Sequence, residues 1–299
     1  MKTKKKETHA ATKVYINGKF FEREFAKVSV FDHGMLYGDG VFEGIRAYNS
    51  LIFKLREHID RLYESAHTIM LRIPLTKREM AEAVIKTLKT NKLKDAYIRL
   101  VVTRGKGDLG LDPRKCSEAT VIIIADKIVL YPEKYYEDGL SIVTVSTQRN
   151  FQNAVNPQIK SLNYLNNILA KIEAVNANVE EAIMLDYNGF VLECTGDNIF
   201  IVKNETVTTP PVSAGILAGI TRQAVIELAE KSKYKVCETL FSRHQLYNAD
   251  ECFLTGTACE IIPVVRVDNR QVGNGKPGKV TLRLMEEFKR LTNIDGVRF

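Results

Sequence analysis

Hydrophobic positions change their spacing several times along this chain, and each spacing predicts an element. Apolar residues at 14–16 and 20–21 flank Asn17-Gly18, a dipeptide that supplies the positive φ angles of a tight hairpin turn, so a sheet opens the fold. Residues 41–48, 96–103 and 120–125 read as further strands from their β-branched and aromatic content. Between them, 57–71 and 76–91 carry apolar residues at helical intervals, Met80, Val84 and Leu88 for example. This half predicts a small α+β domain over 13–127. Polar and aromatic residues around Pro132 then suggest an interdomain linker at 128–137. Beyond it, strands are expected near 141–147, 182–185, 190–192, 198–202 and 251–254, with helices at 161–178 and 221–233, in a larger domain over 138–299.

Composition narrows the class. A chain of 299 residues exceeds what one core usually organises, and 45% hydrophobic with 26% charged residues is ordinary for a globular protein. Of the net charge of +7, four lysines, Lys2, Lys4, Lys5 and Lys6, sit in a tail without apolar pattern, so 1–12 is expected to be a disordered basic tail. Elsewhere Lys and Arg interleave with Asp and Glu, and no basic stripe with stacking aromatics suggests nucleic acid. No apolar run reaches the ~20 residues of a membrane span, and none follows the lysines as a secretion signal would require. Five cysteines without a CxxC pair argue against a disulfide framework or zinc site, and the five histidines lack metal-ligand spacing; the expectation is a cytoplasmic protein with no metal.

Four segments offer chemistry. Lys160, in Gln-Ile-Lys-Ser-Leu-Asn-Tyr, stands before an apolar helical pattern of Leu162, Leu165, Leu169 and Ile172, with Ser161 as a candidate cap. Glu193 ends a strand that follows the Asn188-Gly189 turn. Gly219-Ile220-Thr221-Arg222 opens a helix, where free backbone N–H groups and a hydroxyl suit a phosphate. Thr255-Gly256-Thr257-Ala258 is a second small-residue turn that allows close backbone approach. Taken alone, each has an ordinary reading: a solvated lysine, a surface carboxylate, a capped helix, a turn.

In this order, and together with Tyr37-Gly-Asp-Gly-Val-Phe-Glu-Gly-Ile-Arg46, Arg56-Glu-His-Ile-Asp-Arg61-Leu and Tyr97-Ile-Arg99, the segments resemble the class IV, or fold-type IV, pyridoxal-phosphate aminotransferases, and most of all the branched-chain amino acid aminotransferases. The resemblance runs from about Val14 onward. It implies a two-domain, D-amino acid aminotransferase-like architecture, with a β-barrel-like α/β domain beside the small α+β one. It also implies pyridoxal 5'-phosphate as cofactor, branched-chain amino acids and 2-oxoglutarate or glutamate as substrates, and a homodimer or larger homo-oligomer.

Residue by residue, the resemblance makes Lys160 the catalytic lysine that carries the cofactor as an imine and then shuttles a proton. Both jobs need an amine that can be neutral. Glu193 is similar to the carboxylate that pairs with the pyridine nitrogen, and Tyr164 to the tyrosine on the phenolic oxygen. Arg61 resembles the phosphate-gripping arginine, helped by Leu217, Gly219, Ile220 and Thr221 and by Gly256 and Thr257. Tyr37, Phe42 and Tyr164 resemble walls of an apolar substrate pocket. Gly44 shares a strand face with Phe42, and Tyr97 with Arg99, the arginine implied to read a distal carboxylate. Thr257 and Ala258 would hold the α-carboxylate. The loop 104–113 varies within the family and is expected to cover the site, from a neighbouring subunit on one reading. Tyr131 is the candidate for a further aromatic in the linker. A D-amino acid aminotransferase, an aminodeoxychorismate lyase and a non-catalytic binding protein stay open as alternatives.

Overall fold

A computed structural model describes residues 12–127 and 130–299. The expected disordered tail, apart from its last position, and residues 128 and 129 of the expected linker lie outside the described residues.

The Asn17-Gly18 hairpin forms as its dihedrals require, with φ of 45° and 85°, and joins Lys13–Ile16 to Lys19–Glu22. These strands edge a seven-stranded sheet, antiparallel at every pairing, whose middle is Gly40–Tyr48, Ala96–Thr103 and Thr120–Asp126. The alternation of Ala96–Thr103 sorts its side chains. Ala96, Ile98, Leu100 and Val102 are buried with Ile59, Leu62, Met80, Val84 and Leu88 from the helices Leu55–Thr68 and Lys77–Thr90. Tyr97 and Arg99 therefore stand on the opposite face. The second helix starts where its capping box predicts, Thr76 and Glu79 each bonding the other's backbone N–H.

The other sheet has nine strands of mixed direction. Asn198–Lys203, Glu251–Gly256, Glu260–Val267, Leu140–Thr144, Glu181–Leu185 and Val191–Cys194 pair in that order, and the last returns to the first where Glu193 meets Asn198. They close a barrel. Its interior is apolar, filled by Leu140, Ile142, Ile183, Val191, Ile199, Leu254 and Ile262. Outside it, Phe200 and Phe253 stack with centroids 4.9 Å apart, under the helices Ile220–Lys231 and Lys279–Leu291. No helix among the described residues is long and apolar enough to cross a membrane.

Three local expectations change. The helix predicted over 161–178 is Leu165–Asn176, and Ser161 does not cap it. The preceding residues give their backbone bonds to the first sheet instead: Phe42 N–H donates to Lys160 O at 2.9 Å, and Leu162 N–H donates to Gly40 O at 2.9 Å. The apolar stripe of that helix also faces outward, with Leu165, Leu169 and Ile172 exposed and Asn167, Ala170 and Ala174 buried. Finally, the chain's end returns to the first sheet. Gly296–Arg298 pairs with Leu51–Phe53, whereas the pattern of apolar residues had assigned everything from 138 to 299 to one unit.

Candidate active site

A cavity of about 520 Å³ is lined by residues of both sheets and of the segment that carries Lys160. Fourteen of the sixteen candidate residues lie on its walls. Phe42, Gly44, Tyr97 and Arg99 come from the first sheet, Lys160 and Tyr164 from the tethered segment, Arg61 from a helix, Leu217, Gly219, Ile220 and Thr221 from the start of Ile220–Lys231, and Gly256, Thr257 and Ala258 from a barrel turn. A larger open cleft of about 800 Å³ beside Met70 and Arg114 holds none of them.

Lys160 is held from both sides by the bonds that shortened the helix. Its N–H donates to Ser65 Oγ at 3.2 Å, and its Nζ donates to Tyr164 Oη at 3.3 Å while sitting 4.6 Å from the Phe42 ring centroid. The Phe42 and Tyr164 rings meet edge to face at 5.1 Å. Gly44 keeps this wall thin, since any Cβ there would strike the Tyr97 hydroxyl.

Arg61 belongs to a buried triad that no local sequence signal announced. Its Nε and Nη2 donate to the two oxygens of Glu43, each at 2.8 Å, and Nη1 donates to Ala218 O at 2.7 Å. His58 Nδ1 lies 2.7 Å from Glu43 Oε2. Burial alone would raise the Glu43 carboxyl, but Arg61 and His58 outweigh it and bring it down to about 2. Burial pushes the His58 imidazole down, and the Glu43 carboxylate opposes that shift. A guanidinium has five N–H donors; with three engaged, one remains on each terminal nitrogen.

Nearby, the helix Ile220–Lys231 begins at Gly219 with no side-chain cap, which leaves its first N–H groups free for an anion. A side chain on Gly219 would collide with Asn198 Oδ1, so the bare backbone here is a packing requirement. Thr255, buried and on the cavity wall, has a hydroxyl without a hydrogen-bond partner among the described residues.

Glu193 lies just behind the wall. Its Oε1 accepts from Arg149 Nε at 2.7 Å, and its Oε2 accepts from Asn198 Nδ2 and Leu217 N–H, both at 3.0 Å. Burial holds this carboxyl above its ordinary range, and Arg149 only partly opposes the rise. A second acid, Asp197, is pushed up to about 7 by burial and by the neighbouring Glu181.

Tyr37 is the candidate that the fold does not bring in. It sits on a short helix, His33–Tyr37, half-exposed, with its hydroxyl donating to Leu109 O at 2.5 Å. The loop 104–113 is tied to the same region by Arg104, which bonds both oxygens of Asp39, and no residue of that loop lines this chain's own cavity. Tyr131 does line it and is buried. Arg149, Glu43 and Asn198 had no local signal. Each is defined by a contact with a residue distant in sequence or on another element.

The donor set suits a phosphorylated pyridine: free helix N–H groups and two guanidinium N–H at one end, a buried carboxylate behind another wall, and a lysine amine on the cavity between sheets. The amino-transferase class IV family profile matches residues 40–267, so the chain belongs to that family and is a pyridoxal-phosphate-dependent transaminase acting on an amino acid and a keto acid. It is 55% identical to a putative branched-chain-amino-acid aminotransferase of Methanocaldococcus jannaschii, over 96% of this chain and 98% of that protein. The crystal structure of the Escherichia coli branched-chain amino acid aminotransferase superposes with a TM-score of 0.92 at 38% identity, covering 94% of this chain and 95% of the other. The branched-chain aminotransferase of the thermophilic archaeon Thermoproteus uzoniensis, solved with norvaline, gives 0.88 at 38% identity, with 94% of this chain and 95% of the other covered.

Proposed function

We propose that this enzyme reversibly moves the amino group of L-isoleucine, L-leucine or L-valine to 2-oxoglutarate, giving branched 2-oxo acids and L-glutamate. One observation carries the reading. The Arg99 guanidinium lies 4.6 Å from the Phe42 ring centroid and 5.5 Å from that of Tyr97, so a cation borders the aromatic wall formed with Tyr164. Such a pocket offers apolar surface to a branched side chain and a charge to the distal carboxylate of glutamate, and transamination requires both substrates in turn. The names of the relatives support the same reading.

In this proposal Lys160 would hold the cofactor covalently, and its Nζ, when free, would serve as the base at the substrate α-carbon. When bound, the cofactor supplies an electron sink for the charge released at that carbon. Arg61, the free N–H groups at Ile220 and Thr221, and the Thr257 hydroxyl would hold its phosphate. Glu193 would accept from the pyridine N–H, the Tyr164 hydroxyl would donate to the phenolic oxygen, and backbone N–H groups near Thr257 and Ala258 would donate to the α-carboxylate.

The proposal extends to two domains, 13–127 and 138–299, joined through 128–137 and with the strand Gly296–Arg298 of the second crossing to the first sheet, to a cytosolic location, which free cysteines suit, and to a homodimer. Exposed Leu165, Ile168 and Ile172 on one helix, with Met35, Leu109 and Leu111 beside Tyr37, are the surface a second copy would cover. Sedimentation at a monomer's mass would remove the dimer. Borohydride reduction and peptide mapping should find the coenzyme on Lys160, and isoleucine should bleach its absorbance faster than D-alanine does. Attachment at another lysine, or a preference for D-alanine, defeats the reading.

A further inference from the structure

Glu193 and Arg149 form a buried ion pair whose side chains are 4% and 7% exposed. A carboxylate offers about four acceptor positions, and Arg149, Asn198 and Leu217 occupy three of them. Asn198 and Leu217 themselves line the cavity, which puts the remaining position immediately behind its wall. Arg149 is in turn fixed in place. Its N–H donates to Leu185 O at 2.9 Å, beside the barrel strand that pairs with the strand of Glu193, and Nη1 donates to Asn150 and Asn167 at 3.2 and 3.4 Å. Asn167 is anchored by donating to Thr195 O at 2.7 Å.

We infer that Arg149 is a positioning residue for transamination: it holds Glu193 ionised and aimed, so that the last acceptor position can receive the protonated ring nitrogen of the cofactor. The inference rests on the proposed pairing of Glu193 with that nitrogen. The physical reason is the cost of a lone buried carboxylate, which takes up a proton instead of staying charged. Burial already raises the Glu193 carboxyl, and Arg149 is the largest opposing influence, followed by its hydrogen bond, the Leu217 N–H and the charge of Lys160. A protonated Glu193 has no charge with which to keep the ring nitrogen protonated. The electron sink then weakens although every residue touching the cofactor is intact.

The test uses holoenzyme carrying pyridoxal phosphate labelled with ¹⁵N in the ring. In Arg149→Met the ring resonance should move toward the unprotonated position, kcat with isoleucine should fall about tenfold or more, and KM should change less than kcat. Arg149→Lys should restore much of both. Arg149→Gln removes the charge yet keeps an N–H for Oε1, and the same shift is expected from it where the Met variant does not fold. An unmoved ¹⁵N resonance in the neutral variants overturns the inference. Glu193→Gln in parallel separates the two claims: a ring nitrogen indifferent to Glu193→Gln defeats the pairing itself, whereas one that responds to Glu193→Gln but not to loss of Arg149 defeats only the role of Arg149.

Discussion

Glu43 and Glu193 are both buried and both paired with an arginine, yet their carboxyls shift in opposite directions. Glu43 takes the Nε and Nη2 of Arg61 plus the His58 ring N–H and drops to about 2. Glu193 takes a single N–H of Arg149, an amide and a backbone N–H, and stays above its ordinary value because burial dominates. Each accepts three hydrogen bonds and both sites are buried, so the charge of the donors decides the sign: two guanidinium N–H groups reach Glu43 and one reaches Glu193. The two-pronged pairing at Glu43 is suited to holding Arg61 in place. Glu193, with a position to spare and its partners Asn198 and Leu217 on the cavity wall, is suited to receiving a ligand.

Three experiments can break or sharpen this contrast. The largest expected effect is on Glu193→Gln, which should lower kcat with isoleucine by roughly 10²–10³-fold, as removal of a preorganised electrostatic group does. A kcat within threefold of the parent would erase the functional half of the comparison.

Glu43→Gln should instead act on stability. It leaves the buried Arg61 charge without its counterion, and urea unfolding should show a loss of about 3–5 kcal/mol. An unchanged midpoint would mean that the triad does not hold Arg61. The pH dependence of this contribution has a definite sign: the folded carboxyl is depressed from 4.5 to about 2, so its stabilisation is fully present above the upper value and is lost as pH falls through the lower one.

The third experiment concerns Asp197, whose carboxyl moves the opposite way, from 3.8 to about 7. The native state then binds the proton more tightly than the unfolded chain, so stability falls as pH rises across that interval. Asp197→Asn should remove the slope and gain stability over the parent at pH 8, with little gain at pH 4. Equal differences at both pH values would show that Asp197 does not carry the proton.

Much of the architecture was legible because it is written in local patterns. Met80, Val84 and Leu88 repeat at helical spacing, Asn17-Gly18 permits one kind of turn, and the strand content of 96–103 puts Tyr97 and Arg99 on one face whatever lies opposite. Lys160, the free helix start at Gly219 and the turn at Thr257 could likewise be picked out within short segments, and the cavity collects all three. The first turn of the helix predicted after Lys160 was misread because its backbone bonds go to Gly40 and Phe42, more than a hundred residues earlier.

What the amino-acid order determined by itself was therefore the set of elements, and the chemical groups that each would carry. Tertiary structure alone decided which groups meet: Glu43 with Arg61 and His58, Arg149 with Glu193, and Tyr37 with the 104–113 loop instead of with its own chain's cavity. Helix and turn signals come from bonds between near neighbours, whereas a buried charge takes its meaning from whatever partner the folded chain sets beside it.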